Sequence, residues 1–285
     1  MNYNDITVGI VSFKSQKVLF DCLKSIKYIK NIIIFDNSND LQTKKKIENI
    51  YPKIKFILSK SNIGYGCANN RIINKCKSKY LFILNPDTIL KKNCENELLK
   101  SIKVLKENFS IISPVANEKN YGVYLKTNKK YKKKNLIKVD YVKGFAMLIN
   151  KKKIKNIGMF DNKIFLYLEE VDLCKRLIKN NHKIFLCKKA KILHKGAKST
   201  DLGFEFEKCR NWHWMWSNFY FKKKYSNYIN AFLNYLPTVI LYFFKTIIYF
   251  IILKNKKSKI YYYRLSGILN AIIGRKSWFR PTINF

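Results

Sequence analysis

The stretch YLFILNPD, residues 80–87, places five apolar side chains in a row and then Asn85, Pro86 and Asp87. An unbroken apolar run of this length, without alternation, describes a strand covered on both faces, as in a parallel sheet between two layers of helices. An acid at the carboxyl end of such a strand stands where open α/β sheets bind their ligands. Outward from it the pattern repeats. ITVGIVSF (6–13) is a short apolar run, followed by helical spacing at Val18, Leu19, Cys22, Leu23 and Ile26. NIIIFDNS (31–38), IKFILS (54–59) and SIISPV (110–115) read as further strands. Three strand ends carry polar clusters, DNSND, NPDT and SKSNIGYGCANN, so one mouth lined from several strands is expected.

Beyond it, residues 117–138 are rich in Lys and Asn and read as a mobile hairpin or loop over that mouth. YVKGFAMLIN (141–150) resumes strand character, EEVDLCKRLIKNN (169–181) reads as a helix, and HKIFLC and AKILH read as two strands. From about residue 205 the chain turns aromatic and basic. Residues 225–244 carry no charge, long enough to span a bilayer, but Asn230, Asn234, Pro237 and Lys245 interrupt the run. Aromatics flanked by Lys suit a helix lying in a membrane interface; a true span and a core hairpin remain the alternatives.

Fifty-seven Lys and Arg against 18 Asp and Glu give a net charge of +39. Such a charge points to an anionic partner, either nucleic acid, an acidic membrane surface or a phosphorylated substrate. Nearly all of it is Lys, and only Arg71, Arg176, Arg210, Arg264, Arg275 and Arg280 are arginines. Base and phosphate readout favours the Arg fork, so compositional bias explains the charge better than a dedicated nucleic-acid function. Seven cysteines without a C-x-x-C pair describe a reduced, cytoplasmic protein rather than a disulfide framework or zinc site. The chain starts directly in a strand-like run, with no signal peptide expected.

Several residues could carry chemistry. Asn85 and Asp87 at a strand end could hold a divalent cation that bridges a diphosphate, although N-P-D is also good turn chemistry. Gly64 and Gly66 in SNIGYGCANN would let backbone approach a ligand at a helix start, yet the dinucleotide fingerprint is incomplete. Glu169, Glu170 and Asp172 crowd three carboxylates into four residues. They serve either as helix N-terminal charges or as a general base with its tuning neighbours. His194 ends its strand and either completes a metal site or simply packs.

In order along the chain, DNS, SNIGYGCANN, LNPD, GMFDNKIFLYLEEVDLCKRL and ILHKGAKST resemble a family 2 glycosyltransferase, nearest its bacterial rhamnosyltransferase-like branch. The resemblance covers roughly residues 5–220. It implies an α/β fold of the GT-A type with a mainly parallel sheet in residues 1–220, and C-terminal amphipathic, membrane-associated helices in 221–285. It implies inverting transfer of rhamnose or a similar sugar from a dTDP- or UDP-linked donor to a hydroxyl of a surface-polysaccharide or polyprenyl-linked acceptor. By matching motif, Asp36 with Ser12 and Phe13 would meet the nucleotide base, and Asn62, Gly64, Gly66 and Asn69 would border the nucleotide-sugar. Asn85 and Asp87 stand at the D-x-D position, with Asn where an acid is usual. Asp87, with His194, would hold Mg²⁺ or Mn²⁺. Glu170, or Glu169 one residue earlier, would be the base, with Asp172 and Arg176 as supports and Gly144 lining the acceptor side. The implied location is the cytoplasmic face of the inner membrane, without nucleic acid. The competing readings are a basic nucleic-acid-binding protein and a catalytically silent membrane-bound partner of another transferase.

Overall fold

The computed structural model describes residues 2–116, 132–133, 135–196 and 203–281. In chain order its elements are β1 (Ile6–Ser12), α1 (Gln16–Ser25), β2 (Asn31–Asp36), α2 (Leu41–Ile50), β3 (Lys55–Leu58), α3 (Tyr65–Lys75), β4 (Tyr80–Leu84) and β5 (Thr88–Leu90). There follow α4 (Cys94–Leu105), β6 (Ile111–Ala116), β7 (Lys132–Lys133), β8 (Leu136–Val139), β9 (Ala146–Asn150), α5 (Lys151–Ile157), α6 (Glu169–Lys179) and β10 (Ile184–His194). Three long helices close the chain: α7 (Gly203–Tyr225), α8 (Tyr228–Ile251) and α9 (Asn255–Ile272).

The chain divides into two compact units, residues 1–161 with 170–200, and residues 162–169 with 201–285. Within the second unit α7 packs with α9 around the C-terminal core.

In the first unit a single sheet runs β3-β2-β1-β4-β9-β6-β10-β8-β7, with β5 paired to β10. Its first four strands are parallel. From β9 onward directions mix: β9 is antiparallel to β4 and β6, and β10 is parallel to β6 but antiparallel to β8 and β5. The sheet is thus parallel only in its first half. The antiparallel strands of the second half are as continuously apolar as the parallel ones, both being covered on two faces. HKIFLC and AKILH are one strand with a register irregularity between Cys187 and Lys191. Within the Lys- and Asn-rich stretch, Leu136–Val139 pairs with β10, while residues 117–131 lie outside the described residues, as does the end of ILHKGAKST.

Alternation along each strand sends side chains into two cores. Ile6, Val8 and Ile10 of β1 join Tyr80, Phe82 and Leu84 of β4 beneath α1, α2 and α4. Leu81 and Ile83 face the other way, with Ile72 of α3, Ile154 of α5, and Leu173, Cys174 and Leu177 of α6. Gly9 is required on that second face, because a Cβ there would lie 2.8 Å from Ile72 Cγ2 and hold α3 off the sheet. In the second unit, Trp212, Met215, Trp216 and Phe219 of α7 pack with Ala231 of α8 and Ile268 and Ala271 of α9.

Candidate active site

The mouth is organised around Gly144 and Phe145, just before β9. Asn85 N–H donates to the Phe145 carbonyl at 2.9 Å, and Thr88 Oγ1 donates to the same oxygen at 3.4 Å. The Phe145 ring stacks on His194, centroids 4.4 Å apart. From the other side Tyr65, at the start of α3, donates its hydroxyl to the Gly144 carbonyl at 2.6 Å. Glu170 lays its side chain over Gly144, its Cβ, Cγ and Cδ each 3.6 Å from where a Cβ would stand. Four separated stretches of sequence, carrying Tyr65, Asn85–Asp87, Glu170 and His194, therefore meet at one dipeptide.

Asp87 is 1% exposed, and among the described residues no hydrogen-bond donor in bonding geometry reaches either carboxylate oxygen. A buried carboxylate without donors is costly unless a cation compensates it. His194 Nε2 stands 3.3 Å from Asp87 Oδ1. The short antiparallel pairing of β5 with β10 sets His194 opposite Thr88, and Lys195 N–H bonds the Asp87 carbonyl at 3.0 Å. The strand TIL was missed in the sequence because three residues carry too little periodicity, yet it is what delivers His194 to Asp87. The pair offers one hard oxygen group and one imidazole, a donor set that suits a divalent cation whose remaining ligands come from phosphate and water. Asn85 Oδ1 is also buried, with no donor among the described residues. Burial, and then the Asp87 charge, pushes the neighbouring Cys22 thiol up to about 12, so it is inert.

Glu170, in the first turn of α6, is half-buried, and desolvation raises its pKa above the ordinary glutamate value. Backbone N–H groups, that of Gly144 among them, and the charge of Lys143 pull in the opposite direction without cancelling the burial. Glu169 is 5% exposed and belongs to the second unit with Tyr167, on which its charge acts. Asp172 is fully buried against Arg176, Nε to Oδ2 2.8 Å. The remaining guanidinium nitrogens donate to the Ile157 carbonyl at 2.7 Å and to that of Met159. This pair braces the turn after α5.

On the first-strand side, Ser12 and Asp36 sit side by side at paired strand ends, each 1% exposed. The Asp36 carboxylate accepts from Ser38 N–H and Asp40 N–H at 3.0 Å and from Ser38 Oγ at 2.9 Å. These bonds shape the DNSND loop, while burial raises the Asp36 pKa. Phe13 follows at the rim, its N–H held by Ser15 Oγ at 3.2 Å. Asn62 Oδ1 accepts from Gly64 N–H at 3.0 Å, and Gly64, at φ 87°, caps α3 in a conformation that favours glycine. Gly66, the second residue of that helix, and Asn69, one turn in, are both buried, and Asn69 Nδ2 donates to the Tyr65 carbonyl at 3.0 Å. Tyr65, Lys143 and Phe145 were not singled out from sequence; an aromatic between two glycines in NIGYG was the available signal for the first.

A three-layer α/β sheet with an acid at the end of its fourth strand in chain order, and a second carboxylate laid over Gly144 before β9, has the architecture of GT-A glycosyltransferases. The glycosyl transferase family 2 profile matches residues 7–173, more than half of the chain, which therefore belongs to that family and is a glycosyltransferase. Among curated relatives it is 25% identical over 210 residues to the low-salt glycan biosynthesis hexosyltransferase Agl10 of Haloferax volcanii, covering 67% of each chain. It is 27% identical over 174 residues to the rhamnosyltransferase WbbL of Escherichia coli, covering 51% of this chain and 65% of that one. The chain thus spans about two thirds of the length of these relatives. Among solved structures, the mannosyltransferase PcManGT of Pyrobaculum calidifontis, in complex with GDP-Man and Mn²⁺, superposes with a TM-score of 0.59 at 10% identity, covering 94% of this chain and 86% of that one.

Proposed function

We propose that the protein is an inverting glycosyltransferase that uses a dTDP- or UDP-linked rhamnose or similar hexose. Its acceptor would be a hydroxyl of a lipid-linked or surface-polysaccharide glycan at the cytoplasmic face of the inner membrane. The observation that carries this reading is Glu170, a half-buried carboxylate of raised pKa laid over Gly144 at the same mouth as Asp87. In the reaction Glu170 takes the proton of the acceptor hydroxyl, whose oxygen attacks the anomeric carbon from the face opposite the diphosphate. The bond from that carbon to the diphosphate oxygen breaks, the nucleoside diphosphate leaves with the electron pair, and the configuration inverts. A divalent cation held by Asp87 and His194 would neutralise the charge growing on the leaving group. Ser12, Phe13 and the Asp36 loop would frame the nucleotide base. Asn62, Gly64, Gly66 and Asn69 would frame the sugar-diphosphate, beside Asn85.

The membrane part of the reading is supported by α8. Over its most apolar 18-residue window this 24-residue helix has a mean hydropathy of 1.5, and only 6% of that window is buried. Ile229, Leu233, Phe243, Phe244, Phe250 and Ile251 are all exposed. Lysines 222–224 and 254, 256 and 257 bracket the helix, as expected of an element lying against an anionic bilayer. Agl10 and WbbL, by their names a hexosyltransferase of glycan biosynthesis and a rhamnosyltransferase, support the substrate class. The test is nucleoside-diphosphate release by detergent-purified protein with a panel of UDP-, dTDP- and GDP-sugars, Mn²⁺ and a membrane lipid extract. Release from one donor, lost in Asp87→Ala, is expected; no release from any donor, with salt-sensitive binding to single-stranded nucleic acid, would sink the reading.

A further inference from the structure

The C-terminal unit holds a cavity of about 410 Å³ lined by Tyr167, Glu207, Arg210, Asn211, Trp214 and Arg264, all within that unit. The chain has only six arginines, and two of them face this one space. Arg210 donates from Nε to the Tyr167 hydroxyl at 2.6 Å, and Arg264 donates from Nε to Asn211 Oδ1 at 2.6 Å. Both partners are neutral. Among the described residues neither guanidinium pairs with a carboxylate; Glu207, on the same wall, lies 3.5 Å from Lys256. Each fork is therefore oriented through Nε, with its two terminal nitrogens, the pair that grips a phosphate or carboxylate, left to other partners.

The aromatic frame fixes these arginines further. Arg264 lies over the rings of Tyr242 and Tyr261, 5.8 and 5.5 Å from their centroids, and Arg210 lies 6.0 Å from that of Phe206. Tyr167 meets Trp214 edge-on at 5.4 Å. Tyr167 and Leu168 both take positive φ, 71° and 69°, a conformation two consecutive side-chain-bearing residues adopt only when their surroundings enforce it. Ser217 Oγ, donating to the Leu166 carbonyl at 2.8 Å, and Arg280, whose guanidinium lies 3.6 Å from the Phe165 ring centroid, supply that enforcement. The segment is thus held in a strained path that aims Tyr167 at Arg210.

We propose that this cavity binds a phosphate or diphosphate group, and that a membrane lipid carries it. The two oriented forks supply the phosphate chemistry. The choice of a lipid rests on Tyr242, which belongs to α8 and underlies Arg264, so the anion site adjoins the helix whose apolar side chains are the most exposed in the unit. That the lipid is the glycosyl acceptor rests on the function proposed above; the binding does not.

The experiment uses the full chain in detergent. Binding to phosphatidylcholine vesicles with and without phosphatidic acid is measured by flotation, and binding of inorganic pyrophosphate by calorimetry. Wild type, Arg210→Gln with Arg264→Gln, Arg264→Lys, and Lys276→Gln as an exposed control are compared. At least a tenfold loss of phosphatidic-acid-dependent binding in the double variant is expected, with Lys276→Gln unchanged. Arg264→Lys, which keeps the charge, reads the fork alone should the double variant not fold, and a clear loss is expected. Equal binding by the wild type and every arginine variant overturns the proposal. Pyrophosphate binding that depends on both arginines, without any gain from phosphatidic acid, overturns the lipid and assigns a soluble phosphate. Donor hydrolysis, measured alongside without lipid, reports the Asp87 and Glu170 site separately. Its absence for every donor, with nucleoside-diphosphate release also absent when acceptor extract is added and phosphate binding intact, would overturn the proposed donor and acceptor and leave this one standing.

Discussion

Glu170 and Asp87 are both carboxylates at one mouth, and their surroundings differ in kind. Glu170 is raised by desolvation, so charging it costs the folded state something the unfolded chain does not pay. Between the ordinary glutamate pKa and the raised one the folded protein holds the extra proton, and stability falls as pH rises through that window. Glu170→Gln is therefore expected to lower turnover roughly 10²- to 10⁴-fold, as for loss of a general base, while leaving the melting temperature at pH 7 equal or higher. A destabilised Glu170→Gln would place the residue in the scaffold instead. Asp87 is different, since among the described residues only His194 Nε2, at 3.3 Å, approaches its carboxylate and none bonds it in hydrogen-bonding geometry. Asp87→Asn should weaken Mn²⁺ binding, read directly by electron paramagnetic resonance, and chelation should reproduce the loss of activity in the wild type. In the sequence the three acids at 169–172 looked alike. They diverge because helix geometry sends Asp172 into a buried pair with Arg176 and Glu170 onto Gly144, a sorting that depends on the partner strand and not on the local pattern.

Elements owe their placement to a few close approaches. Gly267 of α9 is one: a Cβ there would lie 2.2 Å from the backbone oxygen of Trp212, so α9 and α7 touch main chain to main chain. Gly267→Ala should destabilise the C-terminal unit by about 1–3 kcal/mol or more, a shift that chemical denaturation would read, since backbone cannot rotate aside as a side chain would. His213 on α7 is another buried point. Its Nε2–H donates to the Phe279 carbonyl at 2.7 Å, and burial lowers its pKa to about 3. Below the ordinary histidine pKa the unfolded chain takes up a proton that the folded one refuses. The stability this neutral imidazole supports is complete above pH 6.5 and drains away by about 1.4 kcal/mol per pH unit as pH falls toward 3. His213→Gln, which keeps a donor for Phe279, should flatten that acid dependence; an unchanged profile would locate the acid sensitivity elsewhere. These contacts were not legible in the sequence, because GILNAI shows only that a glycine lies in a helix. The first four strands and α1 were legible, since their apolar runs are long and their spacing unambiguous. HKIFLC and AKILH were read as two strands because the two lysines between them mimic a turn.

At the scale of the whole molecule, the charge of +39 and the exposed face of α8 concern the solvent the protein works in. If the helix lies on an anionic bilayer, vesicle binding should weaken several-fold with added salt and should fail when Phe243, Phe244, Phe250 and Ile251 are replaced by Ser, with nucleoside-diphosphate release from a soluble acceptor retained. Retained vesicle binding in that variant would transfer the attraction to the lysines alone. The family was legible because its motifs are spread in a fixed order over four strand ends. The cavity of the C-terminal unit was not, because Tyr167, Arg210 and Arg264 are far apart in the chain and meet only through helix packing. The account turns on Glu170 as the base, and the pH dependence of kcat/KM for wild type, Glu169→Gln and Glu170→Gln tests it most directly. The account predicts an acidic limb in the wild type, set above the ordinary glutamate pKa, that survives in Glu169→Gln and disappears with the activity in Glu170→Gln. An acidic limb and near-normal turnover retained in Glu170→Gln would contradict it.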